Sequence, residues 1–194
     1  TTEKLILLMA RKGAAMIEVQ LPFSDPTADG PVIVEANVAA LANRTTTRQV
    51  LAMLARVRQE SAVPLLIMSY LNPLWAFGLE AFLEEMVVIG LDGLIVPDCP
   101  PEEGRLGLPA LAAARGIAFV PLIAPGSTEA RVREICALTE SPFVYTVLRL
   151  GVTGRRTELD AEVKAYLDMV ARASGRALAA GFGIRDREQL AALK

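Results

Sequence analysis

Apolar and polar positions in this chain switch between two periods, and the switching parses it into helices and strands. Residues 1–12 place Leu5, Leu8 and Met9 on one helical face, with Thr1 or Thr2 available to cap and Gly13 where a helix should stop. Over 14–21 the period drops to two, with Ile17, Val19 and Leu21 on one face and Met16, Glu18 and Gln20 on the other. Helical spacing returns at 32–43, with Pro31 in the first turn, and again at 46–60, where Val50, Met53, Leu54 and Val57 stack. An unbroken apolar strand at 64–68 runs into a polar loop of Ser69, Tyr70, Leu71, Asn72 and Pro73. The rhythm then recurs as helix 79–89, strand 93–96, helix from about 102 to 115, strand 118–123 and helix 128–138. Strand 143–147, helix 160–173, strand 177–180 and helix 186–193 complete it.

This pattern predicts one leading helix and six strands, each followed by helix, which on short loops makes parallel βαβ units. Periodicity leaves a doubly wound sheet and a barrel both open. Polar and Gly-rich residues fall after the strands, on the face where both architectures build their sites. No linker or low-complexity stretch divides the sequence, so a single α/β domain over 1–194 is expected, as part of a longer chain.

Composition narrows the function. Hydrophobic residues make up 53% and aromatics 5%, so the core must be built from Ala, Leu, Val and Ile, as suits helices on a parallel sheet. A net charge of -2 with scattered Lys and Arg offers no basic field for a nucleic-acid backbone. No apolar run approaches the ~20 residues of a membrane span, and no signal segment opens the chain. The chain is therefore read as soluble and cytoplasmic, or plastid if from a plant. It has no His, and Cys99 and Cys136 lie far apart without CxxC spacing, so neither a metal site nor a Cys/His nucleophile pair is expected.

The chemistry concentrates in 16–31, MIEVQLPFSDPTADGP, which puts Glu18 near the end of a strand and Asp29 in the loop that follows. A carboxylate inside an apolar strand is costly unless paired or hydrogen-bonded. Prolines at 22, 26 and 31 stiffen the loop that carries Ser24, Asp25 and Asp29. Plainer roles stay open: Glu18 as a strand-end charge reaching solvent, and Asp29 as an acceptor for the loop backbone before Gly30.

Taken with MSYLNP at 68–73, DGLIVPDCPPEE at 92–103, LIAP at 122–125, GVTG at 151–154 and GFGI at 181–184, this stretch resembles the tryptophan synthase alpha chain family. The resemblance runs from the first helix to the last residue. It implies a TIM (β/α)8 barrel, here an incomplete one of six parallel strands lacking the first and last. It also implies a retro-aldol lyase that cleaves indole-3-glycerol phosphate to indole and glyceraldehyde 3-phosphate, with no cofactor of its own. By position in the motif, Glu18 is the general acid/base and Asp29 the carboxylate that accepts from the indole N–H. Tyr70, Tyr145, Gly154, Gly181 and Gly183 match substrate-binding positions, the glycines because backbone N–H groups can approach a phosphate where no Cβ intervenes. Ser24, Asp25, Pro26, Asn72, Pro73 and Asp98 match the face that meets a beta chain, the pyridoxal-phosphate partner of an alpha2beta2 complex that receives the indole.

Three departures stand out. Gln20 replaces a family glycine two residues after Glu18, Leu148 and Leu150 replace hydroxyl residues, and the family's first and last strands have no counterpart in these 194 residues. Two unpaired sheet edges are expected in consequence. Besides the lyase working with its partner, the departures leave open a catalytically weak alpha-like protein that acts as an allosteric partner of a beta chain, and a stand-alone indole-3-glycerol phosphate lyase.

Overall fold

Short apolar strands separated by amphipathic helices fold as the pattern requires, with every strand pairing parallel. The structure, a computed structural model, describes residues 1–102, 106–148, 159–181, 183–184 and 186–192. Along the chain come α1 (Thr2–Arg11), β1 (Ile17–Gln20), α2 (Pro31–Ala42), α3 (Thr47–Glu60), β2 (Leu65–Met68), α4 (Leu71–Phe77), α5 (Leu79–Ile89) and β3 (Gly93–Ile95). There follow α6 (Leu108–Ala113), β4 (Ala118–Phe119), β5 (Leu122–Ile123), α7 (Glu129–Ala137), β6 (Phe143–Val147), α8 (Ala161–Ser174), β7 (Ala177–Gly181) and α9 (Arg187–Ala192).

Hydrogen bonds order the strands β1-β2-β3-β4 and β5-β6-β7. The expected strand over 118–123 is divided at Pro121, which has no N–H to donate. Pairing carries on around it: the Val120 N–H donates to Leu94 at 2.9 Å, and the Pro121 carbonyl accepts from Tyr145 at 2.9 Å. The six expected strands thus form one arc. Among the described residues β1 pairs only with β2 and β7 only with β6, so hydrogen bonds do not close the barrel.

Each face of the arc has its own apolar cluster. Ile17, Val19, Leu65, Ile67, Leu94 and Phe119 point outward to meet Leu51, Leu54, Phe82, Leu83 and Met86 of α3 and α5. Leu66, Ile95, Val120 and Phe143 point inward, packed with Met68, Leu122, Tyr145 and Ala179. At the N-terminal ends of the strands, Asp92 accepts from Leu65 N–H (2.8 Å) and from Arg58 (2.7 Å), tying α3 to β2 and β3.

Two further readings of the sequence need correction. The stretch Leu71, Asn72, Pro73 opens α4 and is not loop; Pro73 falls in the first turn, where its missing N–H costs nothing. The helix expected from about 102 begins only at Leu108, after Gly107 in a left-handed conformation (φ 58°), with Pro109 in its first turn. Thr1 occupies the N-cap position of α1 without making a side-chain capping bond, whereas Thr46 closes a full capping box with Gln49 on α3.

Candidate active site

Strand alternation decides where Glu18 goes. Its backbone pairs with Leu66, an inward-facing residue, so Glu18 lies on the concave face of the arc with Leu66 and Tyr145. The side chain keeps contact with solvent. Even so, enough protein surrounds the carboxyl to strip much of its hydration, and that desolvation, helped by the charge of Asp29, pushes its pKa from 4.5 up to about 7. No hydrogen bond contributes to the shift. Glu18 is therefore a carboxyl able to hold or release a proton near neutrality.

Asp29 is brought to the same place by a braced loop. Thr27 N–H donates to Asp25 and Asp29 N–H to Pro26, at 2.9 and 3.0 Å, so the chain turns tightly between the prolines. From α2, Asn37 accepts the Phe23 N–H (3.0 Å) while donating to Ile33 in its own helix. From the end of β2, the Tyr70 hydroxyl accepts the Ala28 N–H at 2.9 Å and hydrogen-bonds the Asp29 carboxylate. Burial, followed by the Asp29 charge, pushes the Tyr70 pKa up to about 12, so it stays a neutral donor. Gln20, on the concave face with Glu18, donates from Nε2 to Oδ2 of Asp29 at 2.6 Å. The two carboxyls thus sit close enough to feel each other's charge, one crowded and the other hydrogen-bonded.

Tyr145 joins them from β6. Burial raises its pKa well above the ordinary tyrosine value, and the charges of Glu18 and Asp29 add to that. Gly181 on β7 makes room for the ring: a Cβ there would come within 2.6 Å of Cε1 and Cζ of Tyr145. Gly183 turns with φ 80°, and its carbonyl accepts from Gln189 Nε2 at 3.0 Å. Gly154 lies outside the described residues, as does Leu150. Leu148 is 2% exposed and its N–H donates to Gly181, so that side chain is part of the core.

The six residues expected to meet a partner fall on the same rim. Ser24, Asp25, Asn72 and Asp98 are exposed, while Pro26 and Pro73 are half-buried. Asp98 does more than face outward. Its Oδ1 accepts the N–H of Leu71 at 2.8 Å, satisfying an orphan donor at the start of α4. Among the described residues no group of three or more His, Cys, Asp or Glu is placed to hold a metal.

Sequence reasoning missed three contributors. Gln20 stands out in the sequence only as a departure from a family glycine, with no sign of its bond to Asp29. Asn37 carried a signal, an amide in the middle of a helix that is otherwise apolar but for Glu35, and is 5% exposed. Trp75, on α4 one turn beyond Asn72, stands 62% exposed, and nothing in its local sequence indicates which way it points.

Comparison with known proteins bears on all of this. The sequence model of the family described as "Tryptophan synthase alpha chain" matches residues 1–194. Among curated relatives, the tryptophan synthase alpha chain of Carboxydothermus hydrogenoformans is 44% identical over 191 residues, 98% of this chain and 71% of that one. Its counterpart in Gloeobacter violaceus is 42% identical over 97% of this chain and 68% of its own. A chain in the tryptophan synthase a2b2 complex of Pyrococcus furiosus superposes with a TM-score of 0.88 at 34% identity, over 99% of this chain and 77% of that one. A chain of Mycobacterium tuberculosis tryptophan synthase gives 0.86 at 30% identity, over 98% of this chain and 72% of that one.

Proposed function

The chain belongs to the tryptophan synthase alpha chain family, and from that premise we propose that it is the carbon–carbon lyase of tryptophan biosynthesis, with Glu18 and Asp29 as its catalytic pair. It cleaves indole-3-glycerol phosphate to indole and glyceraldehyde 3-phosphate, works in the cytoplasm, and hands the indole to a beta chain in an alpha2beta2 complex. In Pyrococcus furiosus the activation within such a complex is mutual.

Two proton transfers and one electron push make up the reaction. Glu18, protonated at the start, donates to indole C3, and electrons from the ring nitrogen follow to leave a cationic ring whose N–H is held by the Asp29 carboxylate. The glycerol hydroxyl next to the ring then gives its proton back to Glu18. As that hydroxyl becomes an aldehyde, the bond to C3 breaks and its electrons restore the aromatic ring. Every step runs on these side chains and the substrate's own nitrogen, so no cofactor is required on this chain; the pyridoxal phosphate is the beta partner's. Tyr70 and Tyr145, beside the two carboxyls, border the substrate's ring, and the backbone at Gly181 and Gly183 receives the phosphate end.

The observation that carries this reading is the unequal treatment of two neighbouring carboxyls. Crowding holds Glu18 at about 7, where it can work both as acid and as base, while Asp29 receives hydrogen bonds from Gln20 and Tyr70. Measured as indole release in the presence of the beta chain, Glu18→Gln and Asp29→Asn should each lower turnover by at least about 100-fold. A loss smaller than about tenfold in either variant overturns that residue's role.

One contact favours a second reading. Because the Gln20 amide already occupies an oxygen of Asp29, the chain would serve as a catalytically weak activator that binds and stimulates a beta chain. Under that reading the unmodified chain stimulates the partner and releases no indole.

A further inference from the structure

Asp29 has to hold an N–H whose proton becomes more acidic as the ring turns cationic, and for that it needs one oxygen free and its rotamer fixed. A loop aspartate does not have these properties by default. The backbone of its loop is braced by Asn37 and by the turn at Pro26, but neither contact touches the carboxylate itself. Two side chains do: the Tyr70 hydroxyl, and the Gln20 amide at 2.6 Å across nine residues of chain. Gln20 is rooted in the sheet: it pairs with Met68 of β2, and the next residue, Leu21, donates its N–H to Met68 at 2.9 Å. A rigid strand thereby sets the position of a side chain carried on a loop.

We propose that Gln20 is a positioning residue for the cleavage: its amide, donating to Oδ2 of Asp29, fixes the carboxylate so that its remaining acceptor sites face the indole N–H on the Glu18 side. The proposal rests on the role given to Asp29 above. Residue type fits the task. An amide donates without carrying charge, so it holds Asp29 while leaving its negative charge to stabilise the cationic ring; Lys or Arg at position 20 would neutralise that charge. Length fits as well, since Asn is one methylene shorter than the span that Gln20 bridges.

A double-mutant cycle with a modified substrate tests it, run on the full chain saturated with its beta partner. Gln20→Met keeps length and removes the donor, and Gln20→Leu is carried alongside as a second donorless side chain in case the first does not fold. With the natural substrate, Gln20→Met should lower kcat by about 10- to 100-fold while KM stays within about threefold. Introduced into Asp29→Asn, the same change should cost less than about twofold more, because its effect passes through Asp29. With the N-methylindole analogue, which has no N–H for Asp29 to hold, Gln20→Met and the unmodified chain should turn over alike.

Three results overturn the inference: kcat unchanged or raised in Gln20→Met, which makes the amide an obstruction; an equal loss with and without Asp29, which makes it packing; or an equal loss on the N-methyl substrate. If Asp29→Asn alone is nearly harmless, the catalytic pair itself fails and the role of Gln20 falls with it. A large loss in Asp29→Asn together with any of the three leaves the pair standing and removes only Gln20.

Discussion

Glu18 couples stability to pH as well as activity. In the folded chain it keeps its proton up to about 7, whereas an unperturbed Glu loses it near 4.5. Between those values the folded state binds more protons than the unfolded one, so stability declines as pH rises through the window and levels off above it. Glu18→Gln cannot ionise and should abolish that decline. Thermal midpoints of both proteins, scanned from about pH 4 to about pH 8, should differ most in slope between 4.5 and 7 and run parallel above. Parallel curves throughout would mean that the crowding of Glu18 is not felt. In the role proposed for Glu18 the cycle starts from the acid form, so kcat/KM should fall as pH rises past about 7. Asp29→Asn removes the smaller of the two causes, so the stability midpoint should move to lower pH while remaining above 4.5. The sequence already marked both carboxyls. It did not reveal how Glu18 is shifted, because the crowding comes from the arc as a whole, nor the Gln20 contact, because that depends on where a proline-rich loop doubles back.

Elements differ in how readable they were, and α2 shows why. Its spacing announces a helix, yet apart from Glu35 and Asn37 every residue is apolar, which ordinarily signals burial in a core. Here Val32 and Val38 are 66% and 61% exposed, and the one described side chain it buries is the polar Asn37. The helix lies beside the loop that carries Asp29 and not flat on the sheet, so its important contact is a hydrogen bond that no hydrophobic pattern records. Asn37→Ala leaves the Phe23 N–H without its acceptor, which should cost about 1–3 kcal/mol of stability by chemical denaturation. Because the same bond braces the segment that ends at Asp29, indole release should drop too; unchanged stability and activity together would show that the loop holds itself. The other elements obey the same logic. The outward face of β1 was legible by its alternation, β2 as an unbroken apolar run, and α3 by its stacked Val50, Met53, Leu54 and Val57, whereas the caps at Thr46 and Asp160 appear only in the structure. What misled were prolines. Pro73 suggested a loop but sits in a helix's first turn, and Pro121 divides a run that looked like one strand.

At the scale of the molecule, three separate loops converge on one rim, and side-chain bonds join them. Tyr70 at the end of β2 takes the Ala28 N–H of the first loop, and Asp98 from the loop after β3 takes the Leu71 N–H at the start of α4. The start of α4 is thereby pinned to the loop that carries Asp29 on one side and to the third loop on the other. Trp75, the chain's single tryptophan, projects from that pinned helix at 62% exposure, beside a cleft of about 420 Å³ shared with Leu79, Leu106 and Leu111. A large exposed indole on a rigid helix, next to Asn72 and within the rim assigned to the beta chain, has the character of an interface anchor. Trp75→Ala should therefore weaken association with the beta chain by about 2 kcal/mol or more in calorimetric titration. Because little of the side chain is buried in the isolated chain, the thermal midpoint should barely move. Stimulation of indole release by the partner should need correspondingly more beta chain to saturate, while the saturated rate stays the same, since Trp75 touches neither carboxyl. An unchanged titration places the partner elsewhere on the rim, and a lower saturated rate means that α4 transmits docking to the Tyr70 hydroxyl and through it to Asp29.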